Sequence, residues 1–318
     1  MKKITKFFAV LLTAVMCFSG CSSDDNESQD AAVVVKTKDK ALLLVTFGST
    51  WDEPQKTYDG MLDTFKKEFP DADVYLSFTS TTCITRWGAK TGEYYATPDL
   101  WLNAIGKAGY KDVMVQSLHV IPGEEYTLLR DYYVKNFKKA YTSIPVVLGE
   151  PLLVSDEDIK EVGDALYTVF KPQLEKGEAV AFMGHGNPES SYSNANMSYQ
   201  KIKTYMQTKC DKKMFVGTVD CEDMLIGAVI TDLKNTVASN TTINLTPLMS
   251  IAGDHANNDM AGDYDKAEKV EDQSWKVQLN AAGYKVENSN CILKGLGDYP
   301  AVVNVWIRHL NEAIAAQE

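Results

Sequence analysis

From Lys40 to the C-terminus, short apolar runs alternate with longer stretches whose apolar residues recur at helical spacing. Residues 41–47 (Ala-Leu-Leu-Leu-Val-Thr-Phe) are almost continuously apolar and stop at Gly48, the pattern of a strand buried on both faces of a parallel sheet. Residues 54–69 carry Tyr58, Met61, Leu62, Phe65 and Phe69 on one helical face. Further strands are predicted over 73–78, 113–119 and 144–148, and further helices over 97–108 and 124–140. Strands alternating with helices in this way form a parallel sheet covered on both faces.

The alternation then begins again. Strands are predicted over 179–184, 213–219, 242–248 and 283–293, and helices over 155–175, 199–207, 224–237, 267–282 and 301–315. The two series overlay locally. Phe47-Gly48 falls on His185-Gly186, Phe78-Thr79-Ser80 on Thr218-Val219-Asp220, and residues 117–125 on residues 247–255. The last pair shares an Ile-x-Gly step followed by two polar residues. A repeat of this size points to a duplicated unit. The expected fold is α/β, with two similar halves, each a four-stranded parallel sheet flanked by helices, and a cleft between them. The division falls near residue 150, giving an N-terminal half over 40–150 and a C-terminal half over 151–318.

Ligands of open α/β sheets bind at the C-terminal ends of strands. At the three matched ends the first half offers Phe47, Ser80 and Glu125, and the second offers His185, Asp220 and His255. Two imidazoles and a carboxylate at adjacent strand ends make a metal-ligand set. Glu222 and Asp223 stand close enough in sequence to replace Asp220 if the strand ends elsewhere, and an N-cap is the plain alternative for Asp220 itself. Of the four histidines, His185 sits between two glycines at a strand end, and His255 opens a helix with Asp254 and Asp259 near enough to orient its ring. His119 ends an apolar strand, where a buried histidine and a site-lining one are equally expected. His309, beside Arg308 in the last helix, is expected on the surface.

The N-terminus has a different pattern. Lys2, Lys3 and Lys6 precede an apolar run over 7–18, then Ser19, Gly20 and Cys21. The run is too short to span a bilayer and reads as a signal peptide over 1–20. Phe18-Ser19-Gly20-Cys21 resembles a bacterial lipobox with Phe where Leu is commoner, so a lipid on Cys21 is expected to hold the chain to a membrane. Residues 22–30 are polar and acidic, and 21–39 reads as a flexible tether. Periplasmic and cell-surface placement both stay open. Removing residues 1–20 takes three Lys and no acid, moving the net charge from -11 to -14. Such a surface argues against a nucleic-acid partner. Cys83, Cys210, Cys221 and Cys291 follow no disulfide or metal spacing and are expected as isolated thiols.

Several stretches resemble one family. Leu44-Val-Thr-Phe-Gly48, Phe78-Thr-Ser80 with Ile84-Thr-Arg86, residues 115–126, Phe182-Met-Gly-His-Gly186, Val216-Gly-Thr-Val-Asp220, residues 247–260 and Gly295-Leu-Gly-Asp-Tyr-Pro300 are similar, in order, to the anaerobic sirohydrochlorin cobalt chelatases of cobalamin synthesis. The resemblance implies a ferrochelatase-like fold (class II chelatase) and insertion of Co2+ into a tetrapyrrole with release of two protons. It implies a metal held by two His and one Glu, which fall on His185, Asp220 and His255. Asp for Glu is a departure that shortens the reach by about 1.5 Å, one carbon–carbon bond, and it leaves Fe2+ and Ni2+ open as the metal. Export is a second departure. No nucleotide cofactor is expected, and an oligomer is left open.

On this reading His185 accepts a pyrrole proton, since imidazole titrates near neutral pH. His255 and Asp220 hold the ion, and Glu125 takes the second proton, its plain alternative being a first-turn helix acid. The substrate's carboxylates need local cations, and the chain has only Arg86, Arg130 and Arg308. Arg86 lies in the family-like stretch and is the expected carboxylate contact, with Ser80 and His119 lining the substrate site. Trp87 and Tyr126 are expected either against the macrocycle face or in the core. Two other readings remain: a chelatase for another metal or haem-related tetrapyrrole, and a lipid-anchored tetrapyrrole or metal carrier without turnover. A sugar- or nucleotide-binding lipoprotein finds no phosphate loop.

Overall fold

The computed structural model describes residues 32–317 except Glu189. The segment over 1–20 expected as a signal peptide, and Cys21, lie outside the described residues. The first sheet is parallel in the order β2-β1-β3-β4, built from β1 (Lys40–Thr46), β2 (Ala72–Phe78), β3 (Asp112–Ser117) and β4 (Val146–Gly149). Its helices are α1 (Asp52–Glu68), α2 (Thr81–Thr91), α3 (Pro98–Lys107), α4 (Glu124–Leu128) and α5 (Lys135–Ala140), the last two joined by a π-helical turn over Leu129–Val134. The second sheet, order β6-β5-β7, consists of β5 (Ala179–Gly184), β6 (Met214–Thr218) and β7 (Ile243–Pro247). Around it lie α6 (Asp156–Glu175), α7 (Ser193–Gln207), α8 (Ile226–Thr236) and α9 (Trp275–Ala281), while α10 (Pro300–Ala315) packs on β3 and β4 of the first sheet.

The second sheet departs from the expected four strands. The segment predicted as a strand over 283–293 contributes only two parallel bridges, Thr242 to Lys285 and Leu245 to Cys291. Its residues Glu287, Asn288, Ser289 and Asn290 are polar and exposed or half-exposed and turn in a 3-10 helix, so no apolar run exists to bury there. The helix predicted over 267–282 shrinks to α9, because Trp275, Val277 and Leu279 supply its buried apolar face and residues 265–272 are exposed.

Register explains how the strand ends meet. Thr46 pairs with Phe78 and Val45 with Ser117 in the first sheet; Gly184 pairs with Thr218 and Met183 with Pro247 in the second. Matched hydrogen bonds recur beyond those ends. Ser80 N–H donates to the Phe47 carbonyl at 3.0 Å, as Asp220 N–H does to the His185 carbonyl at 2.9 Å. Leu118 N–H donates to Val45 at 2.8 Å, and Leu248 N–H to Met183 at 2.7 Å. Gly48 (φ 108°) and Gly186 (φ 85°) hold the same left-handed turn, which L side chains rarely adopt. A Cβ at Gly48 would lie 2.6 Å from the Phe78 ring, and one at Gly186 would lie 2.9 Å from the Cys221 nitrogen.

The last helix of the second half crosses over, as α6 does not. Phe170 of α6 packs edge-on against Phe182 of β5 at 5.4 Å, whereas Trp306 of α10 donates from Nε1 to the His119 carbonyl at 3.2 Å. A sequence division at residue 150 therefore assigns α10 to one half while its packing lies with the other. One apolar core joins the halves, running from Leu42, Leu44 and Met114 through Trp306 to Val180, Phe182 and Ile202. His309 is buried at 3% exposure, not on the surface as expected, with Nε2 2.8 Å from Asp158 Oδ1. Residues 33–38, expected as part of a flexible tether, are fastened to the first sheet. Asp73 accepts from Thr37 N–H at 2.8 Å, Thr37 Oγ1 at 2.5 Å, Lys38 N–H at 3.0 Å and Tyr110 Oη at 2.8 Å. Burial opposes the charge on Asp73, but these bonds outweigh it and hold the carboxyl at about 2.

Candidate active site

Three loops of the second half deliver the expected metal-binding set. His185 follows the last residue of β5, Asp220 lies two residues past β6, and His255 lies eight past β7. The His185 and His255 rings stand edge to face with centroids 4.8 Å apart, and Asp220 Oδ2 lies 3.5 Å from His185 Nδ1. The His185 Nδ1 also lies 2.9 Å from the Gly186 carbonyl, which accepts and so assigns the Nδ1 proton. That leaves Nε2 as the lone-pair nitrogen. Asp259 Oδ2 lies 2.5 Å from His255 Nδ1 and fixes that ring in the same tautomer. This bond, ahead of an opposing burial effect, raises the His255 pKa. Of the two acids expected to orient His255, Asp259 does so. Asp254 instead accepts from Trp51 Nε1 at 3.2 Å and Asn258 Nδ2 at 2.9 Å.

Among the described residues no group of three His, Cys, Asp or Glu side chains is gathered tightly enough to hold a metal ion as it stands. The three donors are neighbours whose side chains must turn toward a common point. Such an open arrangement differs from the closed four-ligand shell of a structural metal.

The first half contributes a second cluster. Glu125, in the first turn of α4, accepts from Thr79 Oγ1 at 2.6 Å. Its Oε2 is 4.0 Å from His119 Nε2. Burial pushes the Glu125 carboxyl up, against the Thr79 bond and the nearby His185 that favour its charge. His119 is 9% exposed and burial lowers its pKa to about 4, so the ring is neutral near pH 7. Its Nδ1 contacts Ser117 Oγ at 2.9 Å, and its Nε2 is buried without a partner. The structure thus brings His119 and Glu125 together, with Glu125 near enough to His185 for that ring to favour its charge.

Other expectations divide. Ser80 Oγ caps α2, accepting from Cys83 N–H at 3.2 Å, so that oxygen is already engaged. Trp87 at 5% exposure and Tyr126 at 2% are core residues and line no open face. Arg130 pairs with Asp131, and Arg308 with Asp158, Glu161 and Glu312. Arg86 is exposed on α2 with no ion pair among the described residues. Three residues take parts that sequence reasoning did not give them: Thr79, which holds Glu125; Asn187, which accepts from Glu124 N–H of the other half at 3.1 Å; and Trp51, which bonds Asp254 at 3.2 Å. Phe47 is 49% exposed between buried neighbours at the end of β1. The four cysteines of the described residues are free and half-buried.

Comparison with known proteins places these features. A family model described as cobalt chelatase (CbiK) matches residues 40–315. A sirohydrochlorin cobaltochelatase of Salmonella typhimurium is 33% identical over 277 residues, covering 86% of this chain and 96% of that protein. The sirohydrochlorin cobaltochelatase CbiKC of Nitratidesulfovibrio vulgaris is 30% identical over 284 residues, covering 87% and 91%. Among solved structures, SirB from Bacillus subtilis with Fe3+ superposes with a TM-score of 0.60 at 16% identity, over 87% of this chain and 96% of that one. The sirohydrochlorin chelatase SirB of Bacillus subtilis subspecies spizizenii in complex with cobalt gives 0.54 at 15% identity, over 86% and 94%. The two SirB structures share the two-sheet α/β fold.

Proposed function

We propose, because this chain belongs to the cobalt chelatase (CbiK) family, that it is a metal chelatase which inserts Co2+ into sirohydrochlorin. The observation that carries the reading is that two clusters from different halves stand together, joined by the Asn187 to Glu124 bond, with His185 near enough to Glu125 to favour its charge. His185, Asp220 and His255 supply donors for a dication, and Glu125 with His119 supplies a carboxylate beside a neutral imidazole. Insertion breaks two pyrrole N–H bonds and forms four metal–nitrogen bonds. His185 Nε2, its lone pair free once the ion has passed on, takes one proton and Glu125 the other, each then passing to solvent. Asp220 and His255 hold the ion beside the macrocycle and release it as the ring nitrogens replace them. Charge on Asp220 offsets part of the dication's charge, and neutral imidazoles suit a borderline metal.

Phe47 offers an apolar surface to the macrocycle, and Arg86 is the cation for a peripheral carboxylate, because the other two arginines are already paired. The test is absorbance of sirohydrochlorin mixed with Co2+ and protein at a tenth of the substrate concentration. Conversion of all the macrocycle supports an enzyme. Conversion or capture limited to one equivalent of protein would replace it with the carrier reading, which the shortened Asp220 favours. Parallel runs with Fe2+ and Ni2+ identify the metal.

The chain is a lipoprotein in this reading, tethered through Cys21 and facing the periplasm or the cell surface. What supports an outward-facing cleft is the path of residues 33–38. They lie along the N-terminal end of β2, bonded to Asp73, and Lys36 Nζ reaches the Gly109 carbonyl at 2.6 Å ahead of β3. That end is opposite the strand ends carrying the site. Loss of membrane association on Cys21→Ala tests the anchor; retention refutes it.

A further inference from the structure

The loop with His185 and the helix with Glu125 come from different halves, and among the described residues it is Asn187 that bonds that loop to the first half. Its Oδ1 accepts the Glu124 N–H at 3.1 Å, in the first helical turn where backbone donors lack intrahelical partners. The loop itself is braced from behind. Asn187 N–H donates to Asn196 Oδ1 at 2.9 Å, and Asn196 Nδ2 donates back to the Asn187 carbonyl at 2.8 Å. Asn196 is a buried residue of α7. On the other side, a Cβ at Gly123 would lie 2.5 Å from Asn187 Nδ2 and 2.7 Å from its Oδ1. Gly123 has φ -89°, which any residue adopts. The missing side chain therefore makes room for the Asn187 amide and relieves no backbone strain.

We propose that Asn187 is a positioning residue, a latch that fixes the gap between His185 and Glu125 and so the placement of the two proton acceptors on either side of the macrocycle; this rests on the chelatase reading above. The other hydrogen bonds across the site, Trp51 Nε1 to Asp254 at 3.2 Å and Ser250 Oγ to the Leu118 carbonyl at 2.6 Å, fasten the His255 segment. They leave the His185 loop to Asn187. Misplacing reacting groups by about 1 Å costs on the order of 100-fold in rate, and an error in the gap acts on both proton transfers while the donors that bind metal stay within one half.

The experiment is steady-state cobalt insertion by the full chain. Asn187→Ala is expected to lower kcat about 10- to 100-fold while KM for Co2+ and for sirohydrochlorin stays within about threefold, the pattern of an interaction expressed in the transition state. Asn187→Asp keeps an acceptor at the helix N-terminus, where negative charge is favourable, and is expected to recover kcat to within about threefold of the parent. Gly123→Ala, which displaces the amide from the opposite side, is expected to reproduce the loss. A raised KM with unchanged kcat, or an Asp variant as slow as the Ala variant, overturns the latch. If the parent shows no turnover, the chelatase reading fails separately. Amide hydrogen exchange then decides the latch: faster exchange at both Glu124 and residues 185–187 in Asn187→Ala supports it, and unchanged exchange at either overturns it.

Discussion

Replacing Asp158 by Asn removes one charge from the place where the C-terminal helix is tied down. Asp158 is fully buried. Its Oδ1 accepts from His309 Nε2 at 2.8 Å and Arg308 Nη2 at 2.6 Å, and its Oδ2 accepts from Ser155 N–H at 2.7 Å and Val154 N–H at 3.1 Å. An asparagine oxygen can keep the two backbone donors, but its NH2 then faces two other donors. Removing one partner of a buried pair costs about 3–5 kcal/mol. Arg308 is a quarter exposed and keeps Glu161 and Glu312, contacts worth little in water, so the cost falls mainly on His309 and about 3 kcal/mol is expected. For a chain of this size that lowers Tm by roughly 5 °C.

The pH dependence of the same variant has a definite sign. Burial opposes the Asp158 charge, but the hydrogen bonds from His309 and Arg308 outweigh it and hold the carboxyl well below the ordinary range. A carboxyl depressed by folding adds stability that is present above its unfolded value, near 4, and is lost as pH falls through its folded value. The gap in Tm between parent and Asp158→Asn should be full at pH 5 and narrow below about pH 4. Scanning calorimetry or circular-dichroism melts from pH 3 to 7 measure both quantities. A Tm change under 2 °C, or a gap that does not narrow in acid, refutes the burial and pairing argued here.

Three functional predictions follow from the two clusters. Phe47→Ala should weaken tetrapyrrole binding about tenfold, since covering a half-exposed phenyl contributes about 1.5 kcal/mol, and should leave metal binding unchanged by titration; equal tetrapyrrole affinity would remove Phe47 from the site. Glu125→Gln should lower kcat about 100-fold. In the parent, kcat should fall toward acid as the Glu125 carboxyl takes up a proton at a pH above the usual glutamate range, and a profile flat through that range would contradict its role as acceptor. Asp220→Glu, longer by about 1.5 Å, should change the ratio of Co2+ to Fe2+ insertion by at least about threefold; an unchanged ratio would show that this reach does not set metal choice.

What could be read in advance follows from how each signal is carried. The strand over 40–46 was legible because burial on both faces requires an unbroken apolar run, and the overlay of Phe47 on His185 was legible because the same turn needs glycine next, at Gly48 and Gly186. α2 escaped notice. Its sequence is rich in Thr, and only Ile84, Trp87 and Gly88 are buried, too few to mark a helical stripe. His309 was misplaced because its charged neighbour Arg308 suggested solvent, while Val302, Val305, Trp306 and Leu310 on the same helix are buried. That His185, Asp220 and His255 lie near one another could be read from strand ends alone. Asn187 could not, because a bond between an amide side chain and a backbone N–H 63 residues away leaves no local pattern.

The central claim is that His185 stands at the centre of a metal insertion site. It is tested most directly by following sirohydrochlorin absorbance with Co2+ and the full chain or its His185→Ala variant, at equal protein and substoichiometric concentration. The parent is expected to turn over many times and the variant to lose at least about 100-fold in rate, with its fold intact by circular dichroism. Turnover by the variant at the parent rate would contradict it.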